Sequence, residues 1–76
     1  MSEYEKALVR AKAQGVGKTD DAAAMAAFCA STIQTLLGAV SPKLIWDGAQ
    51  ASGLTLLDLG RLCSEEPTKA ADLMLV

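Results

Sequence analysis

The residue types that could do chemistry in this 76-residue chain are few, and histidine is not among them. Two cysteines, Cys29 and Cys63, could ligate a metal or supply a nucleophile. A tetrahedral zinc site would need carboxylates to complete it, and no Cys-x-x-Cys spacing brings the thiols together locally. Cys29 shares a helical face with Met25, Ile33 and Leu36, and Cys63 follows Leu62, so both are expected as small core residues. Two adjacent acid pairs, Asp20-Asp21 and Glu65-Glu66, could serve acid–base catalysis if one member were desolvated in a cleft. Both are expected at helix starts, where the helix dipole favours anions. Neither pair therefore needs a catalytic role.

Two motifs suggest nucleotides or carriers and then depart from the pattern. Gly15-Val-Gly17-Lys18-Thr19 has the close of a phosphate-binding loop, but Lys12 stands where the first glycine is required and residues 3–13 have helical, not strand, character. A helix stop followed by a helix cap explains the same residues. Ser52-Gly53-Leu54 invites comparison with acyl carrier proteins, whose modified serine lies in an Asp-Ser-Leu triplet. Here Ala51 replaces the aspartate and Gly53 intervenes, so no residue carries over. No cofactor is implied.

The elements that would position these residues are delimited by caps. Ser2 with Glu5 has capping-box spacing, opening a helix over 3–13 with Tyr4, Ala7, Leu8 and Ala11 inside and Lys6 and Arg10 outside. Gly15-Val-Gly17 ends it. Thr19 caps a second helix over 20–37, stopped at Gly38 and rich in alanine on every side, hence central. Ser41-Pro42 starts a third, with Leu44, Ile45, Ala49 and Ala51 as its inner candidates; Asp47-Gly48 either lies within it or splits it by a turn. Thr55 caps a fourth helix in front of Leu56, Leu57, Leu59 and Leu62. Ser64-Glu65-Glu66-Pro67 opens a short last one with Ala70, Leu73 and Met74 packed. No run alternates with period two. The fold class expected is all-α: one small domain, residues 1–76, of four to five short helices around a central Ala-rich helix.

Composition bounds the function. Hydrophobic residues make up 51% of the chain and charged ones 21%, an ordinary globular mix. Fourteen of the apolar residues are alanine, which suits closely approaching helices. Chains this short bury only about 60% of their unfolded surface, so association would help them. Four cations against two acids in residues 1–18 give +2; three against seven in the remainder give −4. A basic strip on an acidic body can meet another copy's acidic face. The helix–turn–helix cadence of residues 54–73 offers Lys69 alone to a nucleic acid, too little for a recognition helix. The alanine-rich second helix, broken by Ser31, Thr32, Gln34 and Thr35, is no membrane span. No secretory signal opens the sequence, so the cytoplasm is the default compartment.

What remains points to a partner surface. Trp46 lies off the Ile45/Ala49 stripe and is expected half covered, as binding tryptophans often are. Leu73, Met74, Leu75 and Val76 form an apolar chain end that must fold onto the core or enter a partner. With Lys6 and Arg10 these are the candidate partner-binding residues. The functional expectation is a non-enzymatic interaction domain, an adaptor or inhibitor of a larger protein, self-associating as a homo-oligomer. The rivals are a small helix–turn–helix DNA-binding regulator and a carrier protein or small enzyme.

Overall fold

The computed structural model describes all of the chain except Met1, Lys18, Ala39, Leu75, Val76 and the side chain of Leu37. The described residues form five helices and no strand: α1 (Glu3–Ala13), α2 (Asp20–Leu37), α3 (Pro42–Ala51), α4 (Leu56–Glu65) and α5 (Pro67–Met74). The caps act where the sequence puts them. Ser2 Oγ accepts from the Glu5 N–H at 3.1 Å while Glu5 Oε1 accepts from the Ser2 N–H at 3.3 Å, closing the capping box. Thr19 Oγ1 takes the Ala22 N–H and Thr55 Oγ1 the Asp58 N–H, each at 3.1 Å. The loop between α1 and α2 needs Gly17: its φ is +68°, and a Cβ there would collide with the Ala22 side chain.

Two helix starts differ from expectation. Ser41 occupies the N-cap of α3 but its side chain caps nothing. Gln14, the C-cap of α1, does so instead: its Oε1 accepts from the Lys43 N–H and from the Ser41 hydroxyl, both at 3.2 Å. Glu65 and Glu66 do not open α5. The Glu66 N–H reaches the Leu62 carbonyl at 2.8 Å, so α4 runs on through Ser64 to Glu65. Pro67 then forbids its predecessor a helical backbone, and Glu66 sits at φ −137°, ψ 66°. The new helix begins at the proline.

Asp47-Gly48 makes no turn. The third helix passes through it, and Gly48 lies where the end of α5 crosses. A Cβ at Gly48 would come within 2.9 Å of the Met74 Cα and Cβ, and closer still to the Met74 carbonyl oxygen. The glycine permits backbone-to-side-face contact.

α2 touches each of the other four helices. One buried cluster, centred on Cys29, Ile33, Ile45, Leu59, Cys63 and Met74, joins all five. A smaller one, Ala11, Val16, Ala23 and Ala26, fills the α1–α2 interface. No buried side-chain polar atom among the described residues lacks a partner. Several residues expected inside are not there. Leu36 is 50% and Leu44 56% exposed, and Ala51 is exposed as well. With 18 residues against 11, α2 is about 27 Å long and α1 about 16 Å, so the last turn of α2, with Leu36, outruns its neighbours. In α3 the buried stripe is Pro42, Ile45 and Ala49; Leu44 lies about 100° off Ile45.

Candidate protein-docking groove

α1 and α2 run close together because Ala7 and Ala11 present almost no bulk between them, and both are buried. A ring cannot enter so tight a contact. Tyr4, on the same stripe one turn earlier, therefore stands at its edge and remains exposed. Across from it, α4 carries more leucine than one face can hold. Leu59 and Cys63 are fully buried, and Leu56 and Leu62 are half-buried beside them. Leu57 lies two positions from Leu59, about 200° around the helix, and is 70% exposed.

The outcome is an open groove of about 910 Å³ between α1, α2 and α4. Ala24, Met25 and Phe28 of α2 form one wall, Leu56, Leu57 and Gly60 of α4 the other, with Tyr4 at the edge. Gly60 shapes the floor: Met25 lies across it, so a Cβ there would meet Met25 Sδ at 2.8 Å and Cε at 3.0 Å. The polar rim is Asp21, Arg61 and Ser64. Among the described residues the ion pairs are Glu3–Lys6, Asp47–Lys43 and Glu66–Lys69. Neither Asp21 nor Arg61 takes part in these, although they line the same groove. An exposed apolar surface rimmed by charge is the arrangement that marks interaction sites.

The partner residues expected from sequence lie elsewhere and are not brought together. Trp46 is half-buried and wedged against both core clusters. Met74 is core, in contact with Gly48. Leu73 is 47% exposed, and its carbonyl accepts a 3.5 Å hydrogen bond from the Ser52 hydroxyl. Leu75 and Val76 lie outside the described residues. Lys6 and Arg10 are exposed on α1, and Lys6 pairs with Glu3 at 3.6 Å. The Glu3 carboxylate also accepts from Gln34 Nε2 at 2.9 Å, and this hydrogen bond, aided by Lys6, holds its pKa below the ordinary value. In α5, Lys69 is engaged by Glu66 at 3.7 Å.

The helical stripe of α1 hid the groove by placing Tyr4 inside. The available signal was the adjacent pair Leu56-Leu57, which cannot share one buried stripe with Leu59.

The two cysteines lie in the core. Cys29 Sγ donates to the Leu59 carbonyl at 3.7 Å, one helical turn before Cys63 on α4, and both cysteines are buried in the same core cluster. Among the described residues no group of three or more cysteine and acidic side chains is placed to hold a metal ion, and no helix is long and apolar enough to cross a membrane. No protein-family model matches the chain, and no curated protein or solved structure matches it either.

Proposed function

We propose that this chain is a non-enzymatic protein-interaction domain that self-associates through the α1–α2–α4 groove, each copy filling the groove of another. The observation that carries the reading is the exposure of Tyr4, Phe28 and Leu57 around one groove. Covering a side chain of this kind is worth roughly 1.5–3 kcal/mol when burial is complete. A small domain gains proportionately more from it.

The rim charges favour a second copy as the occupant. A two-fold contact is self-complementary. It sets Arg61 of one protomer opposite Asp21 of the partner subunit, and the reverse, so each contact is made twice. Opposite charges placed this way fix orientation while apolar burial supplies affinity. An ordinary interface takes about 800 Å² from each partner, under a fifth of the 4434 Å² this domain exposes. The adaptor or inhibitor role toward a larger protein is a use to which such a dimer could be put.

Sedimentation tests the proposal. The wild-type chain should be a dimer at about 10–100 µM, the range expected of a modest interface. Leu57→Asp places a charge at the most exposed leucine of the groove and should give a monomer of unchanged helicity. Val9→Asp alters an exposed α1 residue that does not line the groove and should leave the dimer intact. A wild-type monomer throughout that range would refute self-association.

A further inference from the structure

We propose that Met25 is an oxidation site, at which hydrogen peroxide converts the thioether to a sulfoxide and thereby releases the dimer. The site follows from the geometry of the groove; the release rests on the self-association proposed above. Met25 of α2 is half-buried and lines the open space between α1, α2 and α4. Its far end is placed by Gly60 of α4, where a Cβ would stand 2.8 Å from Met25 Sδ and 3.0 Å from Cε. The sulfur and its methyl group are therefore the part of the side chain that crosses the floor. Gly60 lines the same groove, so this contact faces solvent when no partner covers it. Met74 supplies the contrast. It is 5% exposed, belongs to the main core cluster and has its backbone against Gly48. Peroxide reaches that sulfur only when the end of α5 opens.

The chemistry needs no other group of the protein. A sulfur lone pair of Met25 attacks one peroxide oxygen, an S–O bond forms and the O–O bond breaks. The departing oxygen takes the proton from the transferred one and leaves as water. One thioether and one hydrogen peroxide give one sulfoxide and one water. The new oxygen is a hydrogen-bond acceptor on a side chain whose groove neighbours Ala24, Phe28, Leu56 and Leu57 offer it no side-chain donor. Arg61 is the charged donor on the rim, and the dimer sets it against Asp21 of the partner subunit. In the free chain water solvates the oxygen. Under a second copy it must lose that water or hold the apolar surfaces apart, and either disfavours the dimer. Association in turn shields the sulfur, so oxidation proceeds through the monomer and withdraws each oxidised chain from pairing.

Full-length protein treated with limiting hydrogen peroxide, then with dithiothreitol, and digested with trypsin reports the two methionines separately. Met25 falls within residues 19–43 and Met74 within residues 70–76. Dithiothreitol clears any sulfenic acid from Cys29, which shares the Met25 peptide, and leaves a sulfoxide in place. In the folded protein the 19–43 peptide should gain one oxygen several times faster than the 70–76 peptide; in concentrated urea the two rates should be equal. Sedimentation of the oxidised chain should show dimer affinity lowered at least about tenfold, the scale of an unpartnered polar group in an apolar contact. Methionine sulfoxide reductases should restore it. Met25→Leu, compared with its own untreated form, should not respond to peroxide. Met74 oxidised as fast as Met25 in the folded protein would overturn the site. An oxidised chain that dimerises like the reduced one, or a Met25→Leu protein that still loses affinity, would overturn the release and leave the groove contact standing. A wild-type monomer would refute self-association and the release with it, while the peptide map still decides the site.

Discussion

Two helix crossings in this domain use the same pair of residue types to opposite ends. Where α5 meets α3, Gly48 admits the backbone and Cβ of Met74, and that methionine is buried. Where α2 meets α4, Gly60 admits only the thioether end of Met25, which stays half-buried on the floor of an open groove. The first glycine permits main chain to approach main chain; the second permits a flexible tip to lie flat. Rigid contact makes core, and yielding contact makes a surface that can adjust to what covers it.

The largest effect should come from breaking the rigid crossing. Gly48→Ala would force a methyl group into the Met74 backbone, which can make room only by shifting the end of α5. We expect a loss of about 2–3 kcal/mol, of the size seen for overpacked cores, outweighing the roughly 1 kcal/mol that alanine gains in a helix. Urea unfolding would measure it. A stabilised Gly48→Ala protein would mean that α5 does not sit on α3 as described.

Removing the cap of the groove's α4 wall should matter less. Thr55→Ala leaves the Asp58 N–H without its 3.1 Å acceptor and should cost about 1 kcal/mol. Since α4 supplies Leu56 and Leu57, weaker self-association should accompany this loss. Thermal melts paired with sedimentation would separate the two. A cap loss that leaves association untouched would argue that α4 is no part of the contact.

The smallest effect on stability is expected at the yielding crossing. Gly60→Ala displaces only the end of Met25, and the helix propensity gained, up to about 1 kcal/mol, offsets the displacement. The melting temperature should move by only a few degrees in either direction, about what such offsetting terms allow. The groove floor nevertheless rises, so dimerisation should weaken measurably. A loss of stability as large as that of Gly48→Ala would erase the distinction between the crossings.

The sequence made the helices legible because Ser2, Thr19 and Thr55 act locally, on amides three residues away. It misplaced what depends on distant chain. Gln14 displaces Ser41 as the cap of α3 from 27 residues away, and only the fold brings them together. Asp47-Gly48 stayed open between helix and turn because the close approach of Met74 is invisible in local spacing. The helical stripes identified Cys29, Ile33 and Ala49 as interior, since their neighbours at three and four positions agree. They failed for Tyr4, Leu36 and Leu44, where the width and length of the neighbouring helix decide exposure. The groove went unseen for the same reason: spacing within α1, α2 or α4 does not tell whether a neighbouring helix covers a given face. The contact of Cys29 with the Leu59 carbonyl was equally illegible, 30 positions away and with no motif to signal it.

The claim that most needs testing is the reciprocal pairing of Arg61 with Asp21 across a two-fold axis, and a charge-swap series measured by sedimentation equilibrium tests it directly. Asp21→Arg and Arg61→Asp should each set like charges face to face twice per dimer and weaken association at least about tenfold, the scale on which misplaced interfacial charges act. The double variant restores opposite charges in reversed order and should recover most of the lost affinity, a coupling that neither single change can mimic. Far-ultraviolet circular dichroism should be the same for all four proteins. If the double variant remains as monomeric as the singles while fully helical, or if the single variants dimerise like wild type, the groove is not the two-fold contact proposed for it.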